Sequence, residues 1–391
     1  MKKNGILLRV ASGLLAAALA LSLTACGGSS SNSDASAAAD SGATHLRLIY
    51  SPSLCAAPMY IAIENGYFED EGLDIEQVTV DAAHVSEAIG ADQVDVGMGL
   101  IGKMLQPLEN GLPIKFTTGI HTGCTKLLVP GDSDIKSVAD LKGKKIGVPG
   151  LADAATVISK RSLSAAGIGV TDQNMEVEFS VYSRNDLAQA LQNGAVDAIA
   201  LGDPAASIAE EQYGLTALID TATDPKYKDE YCCAAFVTSK LAEENPKAAA
   251  AFTRAVQKAS QWVQENPDET AKIITEKEYI SGDVDFCAQI LKTYNYKPSV
   301  QGGYDALKLG AEQLTEIGIL KEGTDATKFA DNAYIFFDDV PDAPESDTST
   351  DTATESAKGA SVSFQPAAAA AEEEDCCGGG AATKPAQNTK A

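Results

Sequence analysis

The chain holds eight cysteines and three histidines, the side chains best suited to act as nucleophiles or as soft metal ligands. The thiols stand at Cys26, Cys55, Cys124, Cys232, Cys233, Cys287, Cys376 and Cys377, and the imidazoles at His45, His84 and His121. No Cys-x-x-Cys pair and no histidine spacing of a zinc site occurs, so spacing predicts no metal and no cofactor. Two readings of the thiols stay open: small buried apolar groups in a reducing habitat, or a thiolate cluster that takes a soft metal or a thiol-reactive ligand. A nucleophile pair of Cys124 with His121 or His84 also stays open. Gly-x-Ser-x-Gly, His-Glu-x-x-His and the phosphate-binding Gly-x-x-x-x-Gly-Lys-Ser/Thr loop are all missing, and no enzyme is expected.

Those residues have to be exported and then positioned. Lys2, Lys3 and Arg9 precede an apolar run over 10–23, the layout of an export signal and too short for a membrane span. Leu23-Thr24-Ala25-Cys26 resembles the lipobox of bacterial lipoproteins, which implies a signal peptide over 1–25 and a lipid on Cys26. The glycine- and serine-rich segment 26–44 then reads as a flexible tether. From 338 to 391 the chain is rich in acids, Ser, Thr, Ala and Pro, and 338–375 sets eleven acids against Lys358 alone, a disordered composition. Removing the three signal cations takes the formal charge from −25 to −28; 338–375 holds −10 and two later lysines +2, leaving −20 elsewhere. Such a field disfavours nucleic acid and anionic lipid, so the expected membrane contact is the lipid anchor on the extracytoplasmic face.

Between these ends, 44–49 alternates polar and apolar as a half-buried strand, a Ser/Pro-containing break over 51–58 follows, then an apolar helix over 59–64 and a strand over 73–80. The rhythm returns with strand 145–148, helix 153–166, strand 176–181 and a further unit over 187–200, predicting parallel α/β sheets. From about 241 only helices follow: Asn245-Pro246 and Asn266-Pro267 open two, with more over 284–294 and 304–317, expected to pack on the first sheet.

Five phrases in order carry a family resemblance. PMYIAIENGYFEDEGLDIE from Pro58, QVDVG from Gln93, DLKGKKIGV from Asp140, ALQNGAVDA from Ala190 and Asn245-Pro246 resemble the solute-binding proteins of ABC importers for nitrate, sulfonates, taurine and thiamine-pyrimidine precursors. The resemblance implies a two-lobed, type II periplasmic-binding-protein-like α/β fold with two hinge crossings and a helical C-terminal block on lobe one. Lobe one is expected over 45–125 and 237–337 and lobe two over 126–236. It further implies a monomer that captures a small organic solute between the lobes and hands it to an ABC permease and its ATPase. Cys232-Cys233-Ala-Ala-Phe236 also resembles the cysteine-rich stretch of fungal thiamine-pyrimidine synthases that share the fold, with Ala where theirs has further cysteines.

On that model one cleft wall is Ser53, Leu54 and Cys55, the next Asp81 and His84, and Met98 ends the third strand, as core or as contact. His121 and Cys124 precede the first crossing. Lobe two answers with Leu151, Asp153, Thr156, Tyr182 and Asp203, where either aspartate is a helix cap or a cleft acid. Cys232 and Cys233 complete the set. Cations are scarce: Arg184 and Lys126 alone are placed to meet an anion, which favours a neutral or heteroaromatic solute.

Overall fold

A computed structural model describes residues 42–81 and 84–344 of the 391-residue chain. The export signal, Cys26, residues 26–41 of the tether, Ala82, Ala83 and the acidic segment from 345, with Cys376 and Cys377, lie outside the described residues.

The first sheet begins with β1 (Thr44–Tyr50), which pairs in parallel with β2 (Leu73–Thr79) in the register Leu46 to Ile75. A 3-10 turn (Leu54–Ala56), α1 (Ala57–Glu64) and α2 (Tyr67–Asp70) connect them, and Gly66 and Gly72 take the left-handed φ of 71° and 73° that returns helix to strand. Helix α3 (Val85–Gly90) leads to β3 (Val96–Leu100), and α4 (Ile101–Glu109) leads to β4 (Ile114–Thr122). The second sheet is built from β5 (Thr125–Pro130), β6 (Lys145–Val148) and α5 (Ala154–Ala165), the small hairpin of β7 (Val170–Thr171) and β8 (Asn174–Met175), β9 (Glu178–Val181), α6 (Leu187–Gln192), β10 (Ala198–Gly202), α7 (Ala205–Tyr213) and β11 (Leu215–Asp220). β12 (Tyr231–Thr238) returns to the first sheet, and α8 (Ser239–Glu244), α9 (Pro246–Glu265), α10 (Pro267–Glu276), α11 (Val284–Thr293), α12 (Val300–Glu316) and α13 (Ala326–Ala333) follow. The strand orders are β2-β1-β3-β12-β4 and β11-β5-β10-β6-β9, so two mixed sheets define two lobes.

The chain crosses between them at Gly123–Cys124 and over 221–230. This moves one boundary: 231–236, expected in lobe two, pair with β3 and β4 of lobe one. An apolar run such as Cys233 to Val237 reads as a buried strand in either sheet, and only the ladder assigns it. The chain also remains packed past the expected limit at 337, because Asp342 accepts from the Val300 and Gln301 amides at 2.9 and 2.7 Å. Helix α12 starts four residues before the expected 304, under a Ser299 cap. Gly302 and Gly303 look like breakers, but a Cβ at Gly303 would lie 2.4 Å from the Gly119 amide nitrogen. Asn245 caps α9 as expected, whereas Asn266 turns back and donates to the Trp262 carbonyl at the end of α9.

One apolar core joins β1, α1, α9, α10 and α11. A second runs without a break from Phe116, Phe236 and α12 of lobe one to Ile146, Val157 and Leu163 of lobe two. Burial therefore holds the lobes against one another. Among the described residues no helix is long and apolar enough to cross a membrane.

Candidate functional site

The two crossings are tied by Thr221. Its hydroxyl accepts from the amides of Cys124 and Thr125 at 3.1 and 2.9 Å and donates to the Thr125 carbonyl at 3.0 Å. Gly123 precedes Cys124 at φ 73°, and a Cβ there would meet the Ala222 backbone at 2.5 Å, so the turn that aims Cys124 inward requires glycine.

Four thiols converge on this point. Cys55 sits in the 3-10 turn, where the Ser53 hydroxyl accepts from its amide at 3.2 Å. Cys232 and Cys233 are consecutive and would ordinarily face opposite sides of β12, but the β12–β4 register slips between Tyr231, Cys233 and Ala234. Their sulfurs therefore lie 3.9 Å apart, and Cys232 lies 3.1 Å from Cys124. His121 Nδ1 is 3.5 Å from the Cys232 sulfur. The ring stacks on Tyr294 at 5.0 Å and 7° and is tilted against Tyr296, and its buried Nε2 has no hydrogen-bond partner. The Tyr294 hydroxyl lies 3.9 Å from Cys55, and that of Tyr296 donates to the Leu54 carbonyl at 2.8 Å. Burial opposes a thiolate at Cys232, yet the Cys124 and Cys233 thiols hydrogen-bonded to it prevail and bring it down to about 6. The shared bond with Cys232 pushes Cys124 up, and burial pushes Cys233 up.

Asp203 closes the far side. Its amide donates to the Cys124 carbonyl at 2.9 Å, and its carboxylate accepts from the Ser207 amide and hydroxyl at 2.9 and 2.8 Å. Burial pushes the carboxyl up to about 6 against the pull of Lys126. Asp203 thus stands just before α7, bonded to Ser207 in its first turn and close to the thiols. Asp153 accepts from the Ala155 amide as the cap of α5 and pairs with Arg184 at 2.9 Å. Lys126 pairs with Glu210 at 2.6 Å. Both cations placed to meet an anion are already engaged by carboxylates.

The remaining expected positions separate by exposure. Leu54 is buried in the core, and Thr156 is buried with its hydroxyl on the Gly150 carbonyl at 2.6 Å. Asp81 and His84 are exposed ahead of α3, Leu151 is exposed, and Ser53, Met98 and Tyr182 are half-buried. Spacing gave no sign of Tyr294, Tyr296 or the Arg161–Glu230 pair. Arg161 of α5 is bidentate to Glu230 at 2.7 and 2.7 Å and also donates to Gln313 of α12. Arg161 and Glu230 border an interlobe cavity of about 40 Å³ between Leu100, Gly102, Val157, Tyr227 and Cys232. A larger depression of about 630 Å³, between Leu108, Lys115 and Phe329, lies on lobe one away from both crossings.

Two lobes, two crossings and chemistry concentrated between them define the periplasmic-binding-protein fold. The crystal structure of the aliphatic sulphonate binding protein SsuA from Escherichia coli superposes with a TM-score of 0.61 at 18% identity, over 73% of this chain and 91% of that one. Residues 55–270 match the family described as NMT1/THI5 like, and the chain belongs to that family. A formylaminopyrimidine-binding protein of Halalkalibacterium halodurans is 24% identical over 223 residues, 55% of this chain and 64% of that protein. The nitrate/nitrite binding protein NrtA of Nostoc is 26% identical over 266 residues, 61% of this chain and 58% of that protein. The chain thus spans somewhat less than two thirds of these relatives' length.

Proposed function

We propose that the chain is the solute-binding component of an ABC importer, anchored through Cys26 outside the cell, that captures a small organic solute between its lobes and delivers it to a permease and its ATPase without catalysing a reaction. The observation that carries this reading is the pair of crossings at 123–124 and 221–230, about which we propose the two lobes hinge, in a chain whose relatives include solute-binding proteins. The 40 Å³ cavity holds a water or two, against about 300 Å³ or more for a small-molecule pocket, so we place the solute not in it but between the lobe faces beside it, entering when the lobes part. Ser53, Asp81, His84 and Met98 of lobe one and Leu151, Tyr182 and Asp203 of lobe two are the contacts we assign to it. Arg184 and Lys126 are spent on Asp153 and Glu210, so we assign a neutral or heteroaromatic solute in preference to a sulfonate or nitrate.

A thermal-shift screen of sulfonates, nitrate, pyrimidines and amines tests this. A solute at 100 times its Kd adds about 2.7 kcal/mol to stability, a clear rise in Tm. Pyrimidines or neutral amides should produce it. A rise with sulfonate or nitrate alone would overturn the solute class, and turnover of a pyrimidine precursor would overturn the transport reading.

A further inference from the structure

We propose that Cys233 and the groups around it, Cys55, Cys124, Cys232 and His121, bind one thiophilic d10 cation, Cu(I) foremost. Cys233 belongs to two triads, Cys55–Cys124–Cys233 and His121–Cys232–Cys233, and within each triad the three donor atoms lie within 4.8 Å of one another. Sulfur atoms around a single ion at metal–sulfur distances of about 2.3 Å fall in this range, so binding needs side-chain rotation and no movement of the strands. Neither triad contains a carboxylate, and a sulfur and imidazole set selects soft cations over calcium or magnesium. The His121 Nε2, buried without a hydrogen-bond partner, is an independent sign that the packing leaves a donor group unsatisfied.

Ligand number selects between the soft cations: each triad brings three donors together, which suits Cu(I), whereas structural Zn(II) takes four in a tetrahedron. Each thiol that ligates the ion gives its proton to solvent, and no electron is transferred. The proposal does not depend on the solute reading: the ion binds at the hinge whether or not a solute binds in the cleft.

The test is anaerobic titration of the reduced protein with Cu(I), and separately Zn(II), against a chromophoric chelator, together with X-ray absorption of the loaded protein. One Cu(I) per chain in a sulfur-dominated shell is expected. Retention should fall at least tenfold in Cys233→Ser and in Cys55→Ser, and remain in Cys287→Ala, whose thiol lies in α11. Should Cys233→Ser fail to fold, Cys55→Ser and the absorption spectrum decide. No ion retained, equal retention in Cys55→Ser, an oxygen-dominated shell, or Zn(II) held more tightly than Cu(I) would each overturn it.

Discussion

Asp203 shows how much a single residue here depends on its surroundings. Its carboxyl is raised from the ordinary 3.8 to about 6, chiefly by burial. Between those values the folded chain binds more protons than the unfolded one, so the stability linked to this group is fully present below pH 3.8 and is lost as pH rises through 6. Asp203→Asn does not titrate and keeps an acceptor for Ser207. It should gain on the wild type by up to about 3 kcal/mol between pH 4 and pH 7, read from urea midpoints at each pH. A constant difference would place the carboxyl in solvent. The thiols follow the same lesson: each is ordinary in sequence, while their bonds to one another push Cys124 up and Cys232 down and burial pushes Cys233 up.

Among elements, α5 of lobe two packs on α4 and α12 of lobe one, and an ion pair supports that contact. Arg161 reaches from lobe two to Gln313 of lobe one while Glu230, on the second crossing, holds its guanidinium. With side chains 5% and 15% exposed, this pair is buried, and removing one partner strands a charge. Glu230→Gln should cost about 3–5 kcal/mol by denaturant unfolding, and adding Arg161→Met should recover most of it. A loss below about 1 kcal/mol is the value for an exposed pair and would mean that water reaches Arg161. The slipped register of β12 is the other decision made at this scale, because it turns two consecutive cysteines toward one point.

At the scale of the whole molecule, the proposed membrane anchor is one residue, Cys26, outside the described part. If Cys26 carries the lipid, Cys26→Ser should move the chain from the membrane fraction to the soluble fraction of expressing cells while leaving its Tm unchanged. Equal membrane retention would remove the anchor from the proposal. A net charge of −20 in the remainder makes adhesion of the folded part to anionic lipid a poor substitute.

Sequence by itself settled the alternation of strand and helix, the glycine turns at Gly66 and Gly72, the Asn245 cap, the family phrases and the shortage of free cations, because each depends on neighbours a few residues away or on composition. The placement of Asp203 at the start of a helix was legible for the same reason. Tertiary structure alone decided that β12 belongs wholly to lobe one, that Asp342 caps the start of α12, and that Tyr294 and Tyr296 pack on His121. The thiols are the clearest case. Cys55, Cys124, Cys232 and Cys233 are spread over 178 positions of a chain that shows no metal-ligand spacing, and they meet because two crossings and one slipped strand end at the same place.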